Sequence, residues 1–240
     1  RPGQRLPPAR PAEVFAGKYA LRDAQSRILE LTPADMHRRL AAEFSRVESK
    51  YPNPLSKDEI YGLLSSWKVV PQGSPMSAIG NSHQIQSLSN CFVIEPPQDS
   101  YGGILRADQE QAQIMKRRGG VGFDISTIRP KGVITSNAAR TTDGIGVFME
   151  RFSNTCREVA QGGRRGALML TISVHHPEIR TFINIKRNTS KVTGANISIR
   201  LTDEFMKAVE SDTEVQLRFP IEPNVQHSIE TNVSAKELWN

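Results

Sequence analysis

Four short runs rich in branched apolar residues, Cys91 to Ile94, Val121 to Ile125, Ala167 to Val174 and Asn196 to Leu201, are separated by segments whose apolar residues recur at helical spacing. That alternation of strand-like and helix-like texture from Gly73 onward constrains the fold more than any other feature, because it points to an α/β architecture. Ile104, Ala107, Ile114 and Met115 form the stripe of one intervening helix, and Ile145, Phe148, Met149, Phe152, Cys156 and Val159 that of a longer one. Pro177 follows His175 and His176 at a predicted first helical position, opening a short helix to about Ile185.

Upstream the texture is helical. Thr32 before Pro33 is a strong helix start, and Met36, Leu40, Phe44 and Val47 then recur at helical spacing to about Glu48. Ser56 with Glu59 opens another helix through Ile60, Leu63 and Leu64. Pro2, Pro7, Pro8 and Pro11 crowd the opening stretch together with Arg1, Arg5 and Arg10. Three parts are therefore expected: an irregular basic arm over 1–14, a helical region over 15–72, and the α/β part over 73–240.

The bulk numbers exclude several classes. A chain of 240 residues with 38% hydrophobic content can bury a real core. Its two cysteines, Cys91 and Cys156, cannot staple a secreted scaffold, and no apolar run reaches the roughly 18 residues that span a bilayer. A cytoplasmic protein with no membrane partner is expected. The net charge of +6 permits nucleic-acid binding, but half of it sits in the arm and the few aromatics do not interleave with basic residues, so a nucleic-acid partner is not expected. The chain starts at Arg1, and Ser234 with Glu237 opens a helix with no residues left to continue it, so a fragment or one piece of a split protein is expected.

Chemistry concentrates in a few places. A lone cysteine at a strand start packs as a small hydrophobe or presents a thiol; Ser87, Ser89 and Asn90 beside Cys91 favour a thiol facing a polar pocket. Gln161, Gly162, Gly163, Arg164 and Arg165 make a flexible cationic loop that is either a basic surface turn or a loop that reshapes around a nucleotide. Arg118-Gly119-Gly120-Val121-Gly122 reads as a close-packed turn or as glycines that let a ligand approach the backbone; a strand follows it, unlike a dinucleotide fingerprint. Asp99-Ser100 is a helix cap or a ribose ligand, and Arg129 and Lys131 are phosphate ligands or solvated charges. His175 and His176 lack metal-site spacing, so packing is expected and no metal site is assigned.

In this order the segments resemble the large catalytic subunit of ribonucleotide reductase, over residues about 18 to 240. The resemblance rests on Leu88 to Ile94, on Gly119 to Ser126, on Ile128 to Gly132 and on the loop from Gln161 to Ala167. It implies an N-terminal helical region followed by the first half of a ten-stranded α/β barrel, in a ribonucleoside-diphosphate reductase that uses thiyl-radical chemistry. Cys91 would be one of two thiols that reduce the ribose and end as a disulfide, while Ser74, Asn90, Cys91 and Gly120 would contact the ribonucleotide. Asp99, Ser100, Tyr101, Arg129 and Thr135 match the site for a deoxynucleoside triphosphate (dNTP) or ATP effector, and Gln161 to Arg165 the loop that relays effector identity. The two amphipathic helices would form a homodimer face.

The family's radical cysteine, its second reducing cysteine and its C-terminal shuttle thiols are not in this sequence. The chain alone is therefore expected to be inactive, needing the remaining C-terminal half of the enzyme and thioredoxin or glutaredoxin as reductant. An ATP cone is not among the residues shown, which favours the adenosylcobalamin-dependent class over the class with a metal-bearing second subunit. The rival from a different class is a nucleotide-binding regulatory module without chemistry.

Overall fold

The computed structural model describes residues 10–159 and 166–240, and within it the chain divides into two compact units. Of the described residues, the first comprises 10–90 with 117–119, and the second comprises 91–116, 120–159 and 166–240.

The first unit is helical. Helix α1 (Arg10–Lys18) overturns the irregular reading of residues 10–14: Pro11 falls in the first turn, where its missing N–H breaks no helical bond. The start of the expected arm, with Arg1 and Arg5, lies outside the described residues. Helices α2 (Pro33–Glu48) and α3 (Lys57–Ser65) each begin with a complete capping box, Thr32 with Asp35 and Ser56 with Glu59. Each box satisfies two backbone groups that a helix start leaves without partners, which is why local sequence sufficed to place them. Met36, Leu40 and Ala41 of α2 pack on Ile60 and Leu64 of α3. A short helix, α4 (Gly73–Ala78), follows, where only a change of texture was expected.

The second unit holds four strands, β1 (Cys91–Val93), β2 (Gly120–Asp124), β3 (Leu168–Ser173) and β4 (Asn196–Arg200), paired in parallel in that order. Parallel neighbours need crossovers, supplied by α5 (Tyr101–Met115), α6 (Ile145–Glu158) and α7 (Ile179–Asn184). Val121, Phe123, Leu168, Leu170 and Ile172 share one core with Ile104, Met149, Phe152 and Phe182 of those helices. Helix α7 starts two residues later than expected, because Pro177 belongs to a turn in which the Ile179 N–H reaches the His176 carbonyl. Beyond β4, α8 (Asp203–Glu210), the antiparallel pair β5 (Glu214–Phe219) and β6 (Ile229–Ser234), and α9 (Ala235–Trp239) complete the unit. The fold is mixed α/β with a parallel sheet; among the described residues the strands form sheets of four and two, and no closed ten-stranded barrel. No described helix is long and apolar enough to cross a membrane.

The faces of the parallel sheet differ. In β2 the burial alternates, with Val121 and Phe123 turned into the core and Gly120, Gly122 and Asp124 more exposed. The neighbours follow the same period: Val93 is 92% exposed, Met169 and Asn196 are exposed, and Leu168 and Leu170 are buried. One face is thus covered by helices and the other is open.

Candidate functional site

Cys91 begins β1 and is exposed, directly opposite Gly120 in the parallel register. Two residues on, Val93, Gly122, Met169 and Asn196 form a row across all four strands. Because β2 contributes glycine at both 120 and 122, the open face is lowest beside the cysteine. A cavity of about 540 Å³ lies there, lined by Cys91, Val93, Gly120, Gly122, Met169 and Asn196 among others. Such a volume suits a nucleotide-sized ligand. Its lining is mainly apolar, which corrects the expected polar surround. Ser87 and Ser89 bond to each other, and the Asn90 side chain accepts the Ser74 N–H at 3.0 Å, so these polar groups are spent within the first unit. Ser74 is itself buried, and its hydroxyl meets no hydrogen-bond partner among the described residues.

Cys156 is different. It lies buried in the α6 stripe, where burial pushes its thiol pKa up. Packing is its role, as its helical spacing implied.

At the opposite ends of the strands a second site assembles. Ser100 caps α5, accepting the Gly103 N–H at 3.0 Å. Asp99 receives the Arg129 backbone N–H at 3.1 Å and its Nε at 2.7 Å, while Nη2 reaches the Asp99 carbonyl and Nη1 the Ile134 carbonyl. One guanidinium therefore ties together two loops 30 residues apart in sequence. Tyr101 stands edge-on to Phe148 with ring centres 5.9 Å apart, and the Thr135 hydroxyl donates to Asn137 at 2.6 Å. Asp99, Ser100, Tyr101, Arg129 and Thr135 all line one small cavity of about 160 Å³, together with Asn137, Thr142 and Phe148, which were not foreseen. Lys131 does not line it; its neighbours are Asp143, Glu150 and Lys191 in a separate groove.

The Arg118-Gly119-Gly120 segment is a helix-to-strand turn, with Arg118 in the left-handed region at φ 72°. His175 is held between the Gln216 carbonyl and the Thr202 hydroxyl, and His176 between the Ile128 carbonyl and the Glu178 N–H, so both histidines are structural. Among the described residues no three His, Cys, Asp or Glu gather as a metal site. Gln161, Gly162, Gly163, Arg164 and Arg165 lie outside the described residues.

The ribonucleotide reductase barrel-domain family matches residues 89–238, which takes in every element from β1 to α9 except the last residue of that final helix. A vitamin B12-dependent ribonucleoside-diphosphate reductase of Thermoplasma acidophilum is 34% identical over 180 residues, 74% of this chain and 22% of that protein. One of the same name from Mycobacterium tuberculosis is 29% identical over 202 residues, 82% of this chain and 29% of that protein. The ribonucleoside-diphosphate reductase large subunit of Variola virus is 32% identical over 171 residues, 68% and 22% respectively. The chain thus spans roughly a quarter of the length of these relatives.

Proposed function

Since the chain belongs to the ribonucleotide reductase large-subunit family, we propose that it provides one reducing thiol, part of the substrate floor and the effector site of an enzyme that converts ribonucleotides to deoxyribonucleotides. The observation that carries this reading is the position of Cys91, exposed on the open sheet face and in register with Gly120, where a ribose can lie against backbone rather than side chains. In the complete enzyme a thiyl radical activates the ribose. Cys91 and a second cysteine then each lose a hydrogen as the 2′ hydroxyl leaves as water, and the pair ends as a disulfide that thioredoxin or glutaredoxin reduces. Atoms balance: one ribonucleotide and two thiols give one deoxyribonucleotide, one water and one disulfide.

Ser74, whose hydroxyl has no partner among the described residues, and Asn90 are substrate contacts on this reading, and Asp99, Ser100, Tyr101, Arg129 and Thr135 hold a dNTP or ATP effector. The guanidinium of Arg129 supplies forked donors for phosphate, and the Tyr101 ring a face for the base. The loop from Gln161 to Arg165 relays effector identity, and α5 and α6, with exposed Tyr101, Leu105 and Val147, give the homodimer face.

The adenosylcobalamin-dependent class is the preferred one, on the names of two relatives. Among the described residues no three metal-ligating side chains gather, and the chain spans only about a quarter of its relatives, so no described residue is assigned to that group. No step is therefore routed through it. The viral relative, 32% identical and named a large subunit, supports a class with a metal-bearing second subunit as the second reading.

The test is Cys91→Ser in the complete reductase. With thioredoxin as reductant, multiple turnover should be lost while effector binding persists. Turnover at the wild-type rate would remove Cys91 from the chemistry. Effector binding without turnover in wild-type and variant alike would leave a regulatory module.

A further inference from the structure

The loop over 129–144 closes on itself, with Gly132 N–H bonded to the Thr142 carbonyl and Thr135 N–H to the Arg140 carbonyl, and it carries Arg129, Thr135, Asn137 and Thr142 to the small cavity. Its two stems are held from outside by one residue. A single carboxylate oxygen of Glu178, Oε2, accepts the Lys131 N–H at 3.2 Å and the Ile145 N–H at 2.9 Å. The first lies where the loop begins and the second is the first residue of α6, where it ends. Gly144 is what admits the carboxylate: its φ is +80°, and a Cβ there would collide with both Glu178 oxygens. Two residues before Glu178, His176 donates from Nε2 to the carbonyl of Ile128, next to Arg129.

We propose that Glu178 is a positioning residue for the triphosphate cavity, its carboxylate fixing both stems of the 129–144 loop so that Arg129 and Thr135 meet the nucleotide in one arrangement. This rests on reading that cavity as the effector site. Glu178 touches no ligand itself; it acts through the backbone of Lys131 and the N-terminus of α6. A carboxylate suits the place because the first amides of a helix lack internal partners and carry partial positive charge. The β3–α7 turn, residues 175–178, thereby becomes the anchor of the loop.

The experiment compares wild type, Glu178→Ala, Glu178→Gln, Gly144→Ala and the double variant Glu178→Ala/Gly144→Ala in the complete protein. Kd is measured for dATP, dGTP and dTTP with Mg²⁺, alongside amide exchange over 131–145 and Tm. Loss of one charge-assisted hydrogen bond corresponds to about a tenfold change, so Glu178→Ala should weaken binding about tenfold or more and speed exchange at Lys131 and Ile145. Glu178→Gln, which keeps a carbonyl oxygen in place, should bind within about threefold of wild type. Gly144→Ala should weaken binding at least as much as Glu178→Ala, since Ala at φ +80° is strained besides displacing the carboxylate, and the double variant should be no worse than Gly144→Ala alone, because the contact is lost only once.

Lower Tm with wild-type Kd in Glu178→Ala would show a residue that only supports the fold and would overturn the proposal. Additive losses in the double variant would also overturn it. Failure of wild type to bind any of the three nucleotides would instead refute the effector reading, and this proposal with it.

Discussion

His176 makes the second unit sensitive to acid. The ring is fully buried, and burial pulls its pKa down from 6.5 to about 4, against the favourable hydrogen bond to the Ile128 carbonyl and the charges of Asp124 and Asp99. A carbonyl only accepts, so Nε2 carries the proton and Nδ1 accepts the Glu178 N–H; a second proton on Nδ1 would set two donors against each other. The unfolded chain takes up that proton near pH 6.5, while the folded one resists until about pH 4. Between those values the unfolded state binds more protons, so stability rises with pH and falls as the solution is acidified. The full difference is worth about 3 kcal/mol at about 1.36 kcal/mol per decade, of which about 2 kcal/mol is lost between pH 8 and pH 5. Glu178 titrates in the opposite sense: burial, its largest influence, raises its pKa, so it adds stability as the pH falls. Because that contribution is common to both proteins, the informative quantity is the difference between wild type and His176→Gln, whose amide keeps a donor for Ile128. Urea unfolding would be followed by Trp239 fluorescence in a Trp67→Phe background, since Trp239 packs on Phe205 in the second unit. The wild-type curve should lose about 2 kcal/mol more than the variant from pH 8 to pH 5. Parallel curves would refute the reasoning.

The two thiols should separate cleanly: an exposed Cys91 reacts with a disulfide reagent in the native protein, whereas Cys156 reacts only on unfolding, as peptide mapping would show. Arg129→Ala should weaken dNTP binding by about 10- to 100-fold in equilibrium dialysis, and Arg129→Lys should not restore it, because an ammonium lacks the fork that spans Asp99 and phosphate. At Gly122 an added Cβ would sit 3.5 Å from the Met169 Cβ, an ordinary contact, so Gly122→Ala should leave urea stability unchanged or higher by about 0.5–1 kcal/mol. Gly122→Leu, projecting into the cavity, should fold yet raise KM for the ribonucleotide in the complete enzyme; an unchanged KM would place the substrate elsewhere.

What was legible in the sequence was what short-range chemistry decides. Thr32 before Pro33 announced α2 and Ser56 with Glu59 announced α3, because such start signals are complete within four residues, and the four parallel strands showed through their branched runs. Pro177 misled because proline fits a turn as well as a first helical position, and the bond from Ile179 to His176 decided for the turn. Asp99 and Arg129 were each marked individually, as a cap or ribose ligand and as a phosphate ligand or solvated charge, and only the family resemblance put them in one site. Their pairing, made across 30 residues, has no local signature. Glu178 was invisible for the same reason: its partners lie 47 and 33 residues away and are backbone amides, which every sequence has. Gly144 gave a possible signal, since a glycine at a helix entry without a capping side chain calls for an acceptor from elsewhere.

The two cavities stand at opposite ends of the same strands, and that limits how one can influence the other. Cys91 and Gly120 start β1 and β2, whereas Asp99 and Arg129 lie beyond their far ends. At about 3.3 Å per residue, β2 separates its two ends by about 13 Å and β3 by about 17 Å, so on the proposed reading a bound effector acts on the ribose site through the sheet and not by touching it. β3 is the strand best placed to carry that influence. Like β2 it is paired on both sides, in its case to β2 and to β4, so it cannot bend alone. Its far end leads into the turn at 175–178 that holds the effector loop, and its near end follows residues 161–165 in sequence. A shift of that turn when the loop closes on a triphosphate would therefore move β3 against its neighbours as a unit, and with it the row of Gly122, Met169 and Asn196 that floors the cavity beside the thiol.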